Sequence, residues 1–434
     1  MCTSPSSAIW TTLGRGVLFL VFCLVLTDPL ASSAATLRLT SYDQAPRYFL
    51  AVNKSSQTFY VLQRKSPLKA LRQFECSTGD QPGNKQSEGD ERTPEGVYFL
   101  ENVRTSGLDY ELYGDVAYTL NYPNPIDRIR GKTGYGIWVH GRGKELVPRD
   151  TRGCIALEGS SIKSLTDEVD LHLTPVLIGS DTVFSPAEEE VSKTAARLSR
   201  KVSAWAEAWQ EKSQTYFSFY NQEKYTLASD STFKAFRAHK ETLFDNYAWI
   251  DVYLDEVRVL AGPDYWVTYF GQYFRSPTYI SEGVKRIYWQ RGDQGWRIVG
   301  EEWRDKPLDL EQEYLAEASG RIKGWLDRWR TAWRSADLQG YLQFYQAGAR
   351  QQGRYGRQSI ADYKRQLWKD EEPSRIAFEE VTVDLHRRGF EISFLQRYHG
   401  QDGYSDYGRK TLIVQPSGEG FQIVNEQWTA VSSS

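Results

Sequence analysis

A histidine and a cysteine lie close together in one short segment, residues 135–157. The segment places His140-Gly141 fourteen residues before the cysteine of Gly153-Cys154. A histidine can take the proton of a thiol, the thiolate can attack a carbonyl, and the imidazolium can return the proton to a leaving amine. Both side chains adjoin glycines, whose backbone allows a substrate to approach closely. The pattern therefore predicts thiolate chemistry on an acyl substrate.

Cys154 is interpreted as the nucleophile of this pair. A lowered thiol pKa requires a nearby cation or a helix N-terminus. Arg149, Arg152 and His140 are the candidate cations, and a helix is predicted from about residue 160. The alternative is a small buried hydrophobic residue, which is the commoner role of a free cysteine. The presence of a base in the same segment favours the nucleophile.

His140 is interpreted as the general base. The chain has four other histidines, His172, His239, His386 and His399. A lone histidine at the end of an apolar strand is usually a hydrogen-bonded structural residue, and this is the interpretation of His172. For His140, the adjacent Gly141 and the downstream cysteine favour the base. Backbone N–H groups near Gly153 and Cys154 are expected to hold the oxyanion.

An upstream segment supports the same interpretation. It reads S-T-G over residues 77–79 and T-P-E-G-V-Y over residues 93–98. Together with the His-Gly and the Thr-Arg-Gly-Cys, these motifs resemble the L,D-transpeptidases of the YkuD type, over residues 47–179. The resemblance implies a mostly-β catalytic domain, placed at residues 45–180, that acts on the bacterial cell wall without a metal or organic cofactor.

The resemblance also implies a specific reaction. Cys154 would attack the carbonyl that joins meso-diaminopimelate to the terminal D-alanine of a peptidoglycan tetrapeptide. D-Alanine would leave with a proton from His140, whose ring the carbonyl of Gly141 orients. The thioester would pass to an amine, which gives a cross-link, or to water, which is L,D-carboxypeptidase trimming. Family members with a cone-shaped C-terminal domain include trimming enzymes that influence cell shape, so both acceptors stay open.

Two other functions are weighed against this one. The first is an exported scaffold that binds the cell wall through a degenerate catalytic domain, but the intact His140, Gly141, Gly153 and Cys154 argue against degeneracy. The second is a papain-like hydrolase. In such enzymes the cysteine lies near the mature N-terminus and the histidine far downstream, and the order here is reversed.

Two positions depart from the family pattern. Ala156 stands where many members have Arg or Asn, and Arg152 stands where many have His. An anchor for a substrate carboxylate is therefore either missing or supplied by Arg152 or Arg149. The residues expected to contact the substrate are Tyr135, Trp138, Arg149, Thr151 and Arg152.

The composition of the 434-residue chain is that of a globular protein, with 40% hydrophobic and 25% charged residues. This length predicts about three domains. The formal net charge of −3 gives no indication of a nucleic-acid partner. No apolar run reaches the roughly 18 residues of a membrane span.

The N-terminus has the layout of a signal peptide, placed at residues 1–35. Arg15 precedes an apolar run of eleven residues, 16–26, and small residues follow at 31–35. The sequence therefore predicts export to the periplasm, and the alternative is an uncleaved inner-membrane anchor. Phe22 before Cys23 argues against lipid attachment.

Two cysteines, Cys76 and Cys154, remain after the signal, besides Cys2 and Cys23 within it. Two cysteines do not form a disulfide framework. Cys76 is interpreted as a strand residue that faces the core, and the alternative is a redox partner of Cys154.

The C-terminal half contains an internal repeat. Residues 285–303 and 410–428 share Lys, Gln, Gly, Ile, Val, Glu and a final Trp at an offset of 125. Further matches pair Trp205 and Trp209 with Trp329 and Trp333, Phe219-Tyr220 with Phe344-Tyr345, and Tyr273, Tyr279 and Gly283 with Tyr398, Tyr404 and Gly408. This helix-then-sheet layout resembles the nuclear-transport-factor-two-like (SnoaL-like) cone fold.

The predicted fold class is multidomain: the mostly-β catalytic domain, a linker at 181–196, and two α+β cones, each a long helix packed on a curved antiparallel sheet. We place the first cone at 197–306 and the second cone at 318–431. Their tryptophans are expected to pack on the sheets, and the alternative is a set of platforms for glycan.

The cones are expected to position the catalytic domain on its polymer. Because none of their histidines has a partner at the repeat offset, we expect the two cones to share no matched acid–base pair. The expected partners are peptidoglycan stem peptides, with glycan strands or a periplasmic protein at the cones and no nucleic acid. The oligomeric state is left open.

Overall fold

The computed structural model describes residues 36–186, 188–418 and 420–431. The predicted signal peptide, with Cys2 and Cys23, lies outside the described residues. The described stretches contain no helix that is both long and apolar enough to cross a membrane.

The N-terminal part is built from ten short strands. They are β1 (Thr36–Leu39), β2 (Tyr48–Asn53), β3 (Thr58–Gln63), β4 (Lys69–Ser77), β5 (Gly96–Arg104), β6 (Ala117–Leu120), β7 (Trp138–His140), β8 (Ile155–Leu157), β9 (Pro175–Gly179) and β10 (Asp181–Phe184). Eight of them close into a barrel in the order β2-β3-β4-β8-β7-β6-β5-β9, with β9 parallel to β2. β1 and β10 form a separate parallel pair. The predicted mostly-β domain is confirmed.

Three short helices connect the barrel strands: α1 (Tyr110–Tyr113), α2 (Pro125–Ile129) and α3 (Gly159–Lys163). α1 is capped by Asp109, whose carboxylate accepts a hydrogen bond from the N–H of Leu112. α2 begins with a capping box between Asn124 and Asp127, which satisfies N–H groups that a helix start leaves free. The structure places α3 where the sequence predicted a helix after the cysteine.

The first cone packs helices on a four-stranded antiparallel sheet. Its elements are α4 (Glu189–Gln210), a 3₁₀ turn (Gln214–Phe219), α5 (Gln222–Ala228), α6 (Phe233–Asn246), β11 (Asp251–Ala261), β12 (Trp266–Arg275), β13 (Ile280–Gly292) and β14 (Gly295–Asp305). The stretch 181–196, expected as a linker, holds β10 and the start of α4.

The second cone has the same long first helix, second long helix and four long strands, but two short strands replace α5 and extend its sheet to six strands. Its elements are α7 (Glu311–Arg334), α8 (Leu338–Gln343), β15 (Tyr345–Gln351), β16 (Arg354–Tyr355), α9 (Arg357–Asp370), β17 (Pro373–His386), β18 (Gly389–Gly400), β19 (Ser405–Ser417) and β20 (Gly420–Ala430). The predicted fold class, with two cones after a mostly-β domain, is confirmed.

The strand register shows which positions of the two cones correspond. Trp303 lies opposite Lys285 in the first sheet, and Trp428 lies opposite Lys410 in the second. The four long-helix tryptophans are buried, at 0% to 7% exposure. Their expected packing on the sheets is therefore confirmed.

One predicted match is wrong by one residue. Tyr398 packs on Trp333 with ring centroids 6.1 Å apart, and in the first cone the residue that packs on Trp209, at 5.2 Å, is Phe274. Tyr273 points out of its own cone and stacks on Tyr314 of α7 at 4.9 Å. A shift of one residue along a strand moves a side chain to the opposite face, so Tyr273 is not the counterpart of Tyr398.

The barrel and the first cone share one hydrophobic core. The outer faces of barrel strands meet the outer face of the cone sheet, and the buried members include Phe49, Ala51, Leu62, Val97, Phe99 and Leu177 from the barrel with Leu260, Tyr265, Val267, Tyr269, Tyr288 and Val299 from the cone. Polar contacts cross the same interface. The N–H of Val97 donates to the Tyr265 hydroxyl at 2.7 Å, and Asn121 donates to Glu302 at 2.9 Å.

Contacts of a similar kind join the two cones. The Tyr314 hydroxyl of α7 donates to buried Asp251 of β11 at 2.8 Å. The guanidinium of Arg275 donates to the carbonyls of His386 and Gly389 at 2.7 and 2.9 Å. Barrel, first cone and second cone are thus joined in series by buried contacts.

Candidate active site

His140 ends strand β7 and is 3% exposed. Its Nδ1 lies 2.6 Å from the carbonyl oxygen of Gly141. A carbonyl only accepts hydrogen bonds, so Nδ1 carries the proton and Nε2 keeps a free lone pair. The structure therefore places the Gly141 carbonyl where the resemblance implied it, and leaves His140 in the form that a base requires.

Cys154 lies one residue before strand β8, beside β7. The two strands are parallel, and His140 pairs with Ala156. Because side chains alternate along a strand, Cys154, two residues before Ala156, projects from the same face as His140. The thiol donates to the carbonyl of Gly136 at 3.6 Å. A catalytic hydrogen bond is often formed only once substrate is bound.

Gly153 is required by the shape of the turn before the cysteine. Its φ is +118°, and a Cβ atom there would lie 2.8 Å from the carbonyl oxygen of Arg92. Thr151 closes the same turn, since its hydroxyl accepts from the N–H of Gly153 at 3.2 Å and donates to the carbonyl of Cys154 at 2.8 Å. The Gly153 N–H, expected in the oxyanion region, is therefore engaged with Thr151 in the ligand-free site.

Burial shifts both reactive groups toward their neutral forms. It lowers the pKa of His140 to about 4, with a smaller lowering effect from Arg142 against the raising effect of the Gly141 hydrogen bond. Desolvation raises the pKa of Cys154 to about 11, although Lys85 acts in the opposite direction. The expectation of a lowered thiol pKa is therefore wrong for the free site. At neutral pH the pair is an imidazole and a thiol.

The residues expected to contact the substrate differ in exposure and in contacts. Tyr135 is 79% exposed. The ring of Trp138 is partly buried beneath the Arg104 guanidinium, 5.0 Å from its centroid. Arg152 is exposed, and Arg149 has a φ of +56° with its N–H bonded to Gln57.

Sequence reasoning missed two residues near the pair. Lys85 is a buried cation that favours the thiolate of Cys154 and is itself paired with Asp90 at 2.8 Å. Tyr113 of α1 contacts the His140 ring, with centroids 5.1 Å apart. Neither lies in a motif, so only the fold brings them to the site.

Cys76 and His172 have structural roles, as expected. Cys76 is 1% exposed and free, and burial raises its pKa to about 12. The backbone N–H of His172 donates to Leu100, and its carbonyl accepts from Arg286 at 2.7 Å. Among the described residues, no group of three or more His, Cys, Asp or Glu side chains is arranged to hold a metal ion.

A second polar site lies inside the second cone. A cavity of about 460 Å³ is lined by Trp333, Lys364, Gln396, Tyr398, Lys410 and Glu426 among others. Lys410 is paired with Glu426 at 2.5 Å. The ammonium of Lys364 has no hydrogen bond or ion pair with a described residue. It lies 4.7 Å from the Trp333 ring, and burial lowers its pKa to about 7.

The interior of the first cone has residues of the same types at the corresponding positions. Lys285 is paired with Glu301, and the Lys240 ammonium lies 4.2 Å from the Trp209 ring. Burial lowers the pKa of Lys240 to about 8. The expectation that the cones share no matched acid–base pair is therefore wrong. It considered only histidines, whereas the matched groups are lysines and glutamates.

Family models match three stretches of the chain. Residues 47–178 match YkuD, the L,D-transpeptidase catalytic domain. Residues 197–302 and 321–427 both match Cds6_C, the Cds6 C-terminal NTF2-like domain. Both resemblances stated above are confirmed, and the match of one model to two stretches confirms the repeat.

Two solved structures are similar to parts of the chain. Bd1075 of Bdellovibrio bacteriovorus is 29% identical, with a TM-score of 0.49, over 63% of this chain and 98% of that chain. The helical cell shape determining protein Pgp2 of Campylobacter jejuni is 25% identical, with a TM-score of 0.48, over 61% of this chain and 94% of that chain. No curated protein matches the sequence.

Proposed function

We propose that this chain, which carries a YkuD L,D-transpeptidase catalytic domain followed by two NTF2-like domains, is a cysteine acyltransferase of peptidoglycan stem peptides. The observation that carries the proposal is the Nδ1 contact of His140 with the Gly141 carbonyl at 2.6 Å. That contact leaves Nε2 of His140 free to act as the base. His140 ends β7, and β7 pairs with β8, the strand that begins directly after Cys154.

The neutral resting pair suits a general-base mechanism. His140 Nε2 takes the thiol proton as the sulfur of Cys154 attacks the carbonyl between meso-diaminopimelate and the terminal D-alanine. The imidazolium then gives that proton to the leaving amine of D-alanine, and a thioester remains on the sulfur. An amine or water attacks the thioester, His140 removes its proton, and the thiol is regenerated.

The acceptor decides between cross-linking and trimming. An amine from a second stem peptide gives an L,D-cross-link, and water gives a tripeptide with the free carboxylate of diaminopimelate. We infer that the reaction takes place in the periplasm, because residues 1–35 have the layout of an export signal.

The cones supply a binding role for the same polymer. In each cone one lysine is paired with a glutamate, and a second lysine has no ion-pair partner among the described residues. The unpaired ammonium of Lys364 beside the cavity favours a carboxylate, which stem peptides offer at diaminopimelate and at D-alanine. The cones would thereby hold the wall while the barrel acts on it.

Mass spectrometry of purified tetrapeptide muropeptides, after incubation with residues 36–434, tests the proposal. Loss of D-alanine with a tripeptide product identifies water as the acceptor, and a new dimer identifies an amine. Cys154→Ala should abolish both products while calorimetry shows a folded protein. Cys76→Ser is the control, because that thiol is buried away from the reaction and activity should persist. An unprocessed muropeptide with wild-type protein, or turnover by Cys154→Ala, contradicts the proposal.

A further inference from the structure

Helix α1 lies directly against the segment that carries His140. The N–H of Gly141 donates to the carbonyl of Val116 at 2.9 Å, which holds this segment next to the chain that leaves α1. A Cβ atom at Gly143 would lie 2.4 Å from the carbonyl oxygen of Tyr110. A Cβ at Gly114, whose φ is +61°, would lie 3.0 Å from the carbonyl carbon of Gly141. The two segments approach this closely only because these positions are glycine.

The side chain of Tyr113 fills the corner between the two segments. Its ring meets the His140 ring edge-on, with centroids 5.1 Å apart and planes at 68°. The same ring lies 5.2 Å from that of Trp138, two residues earlier on the strand. Edge-to-face pairs of this kind stabilise a packing by roughly 0.5–1.5 kcal/mol beyond the area they bury.

The single hydrogen bond of the imidazole does not by itself fix the ring. Its acceptor is the carbonyl of the next residue, Gly141, so the bond moves with the segment. A second contact from another element is needed to hold Nε2 toward the cysteine. Tyr113 is the aromatic contact of His140 among the described residues, and it comes from a helix capped by Asp109.

We propose that Tyr113 is a positioning residue for His140, whose ring holds the imidazole in the orientation that directs Nε2 to Cys154 and excludes water from it. The role rests on the proposed function, since it serves the same base. The contact is made by the ring, so Tyr113→Phe should preserve the role and Tyr113→Leu should remove it.

The charged group that acts on His140 is Arg142 from its own segment, and the carbonyl of Gly141 acts on it through the hydrogen bond to Nδ1. Removal of the Tyr113 ring leaves both groups in place. It admits water to the imidazole, so the pKa of His140 should rise from about 4 toward its ordinary value of 6.5. A residue that only stabilised the fold would not move this pKa.

Two measurements on residues 36–434 test the proposal. NMR titration, with the His140 signal assigned from His140→Asn, should show a His140 pKa that is higher by about one unit in Tyr113→Leu and unchanged in Tyr113→Phe. For Tyr113→Leu, the kcat of D-alanine release should fall roughly tenfold to hundredfold. In the pH profile of kcat, the pH below which activity is lost should rise together with the pKa of His140. Leu112→Ala, on the exposed face of the same helix, is the control and should change neither value.

An unchanged His140 pKa in folded Tyr113→Leu would overturn the inference, as would an equal rise in Leu112→Ala. The titration also separates this inference from the proposed function. If wild-type protein releases no D-alanine, the proposed function fails, while a shifted pKa in Tyr113→Leu still supports the positioning role.

Discussion

Arg286 of the first cone donates a hydrogen bond at 2.5 Å to Glu101 on strand β5 of the barrel. Arg286 is fully buried and Glu101 is 8% exposed. Burial raises the pKa of Glu101, but the hydrogen bond with His172 and the guanidinium groups of Arg286 and Arg304 together hold it well below the usual range. The two domains therefore meet through a charge pair that solvent does not reach, inside a shared hydrophobic core.

We expect Arg286→Gln to destabilise the protein by roughly 3 kcal/mol, the low end for a broken buried ion pair, because it removes the buried cation that Glu101 and Glu302 share while Arg304 stays beside both carboxylates. Urea unfolding of residues 36–434, followed by tryptophan fluorescence, measures the change. Arg291→Gln, at the exposed end of the same strand, is the matched control and should change stability by less than about 0.5 kcal/mol. Equal changes in the free energy of unfolding of the two variants would show that the Arg286–Glu101 pair does not stabilise the protein.

The catalytic barrel should not fold without the first cone. A chain that ends at Phe184 would expose the outer faces of β2, β5 and β9, so we expect it to aggregate or to remain unfolded. A chain that ends at Lys306 keeps that interface and should release D-alanine from soluble muropeptides. Circular dichroism and the release assay check both chains, and a folded, active barrel ending at Phe184 would contradict the prediction.

The reactivity of Cys154 should depend on pH in a way set by His140. The base is available above its pKa of about 4 and is lost as the pH falls through that value. The rate at which iodoacetamide labels wild-type Cys154 should therefore contain a contribution from the His140 base, and that contribution should be constant from about pH 5 upward. His140→Ala should remove it, and the remaining rate should climb about tenfold per pH unit toward the thiol pKa of about 11. Identical profiles would make the histidine structural.

The interior lysines of the cones should govern binding to the wall. Lys364→Met removes the ammonium that has no ion-pair partner in its cone, so we expect cosedimentation with intact sacculi to fall about tenfold. Lys369→Met, on the exposed face of the same helix, is the control. Lys410→Met should instead destabilise the fold, because Glu426 then loses its partner. Equal binding by Lys364→Met and wild-type protein would exclude this cavity as the site.

The sequence was sufficient for the parts of the molecule that local pattern determines. The His-Gly and Gly-Cys motifs identified the pair that the fold places on one face of β7 and β8. The repeat identified the two cones, because matched residues at a near-constant offset do not require knowledge of the fold. Two apolar runs, residues 48–52 and 58–62, flank a polar turn, and this pattern predicts the hairpin that β2 and β3 form.

The remaining features depend on contacts between distant segments. The neutral state of the catalytic pair follows from burial, which no motif encodes. The sequence does contain a pattern that predicts the shared core. β2 and β5 are buried on both faces, and their apolar runs Y-F-L-A-V and V-Y-F-L are continuous rather than alternating. A continuous apolar run is typical of a strand that is covered on both faces. The sequence therefore predicts that some other part of the protein packs on the outside of the barrel, although it does not identify that part.

The distance between matching residues of the two cones is not constant, and its changes lie outside the interior positions. Trp205 and Trp329 are 124 residues apart, Tyr220 and Tyr345 are 125 apart, and Lys240 and Lys364 are again 124 apart. The second change falls in the stretch where the first cone has α5 and the second cone has β15 and β16. The two copies have therefore diverged in length and in local structure between these positions while keeping the same lysine, glutamate and aromatic lining. Such a record is left when an ancestral segment duplicates and each copy continues to be selected for its interior rather than for its surface.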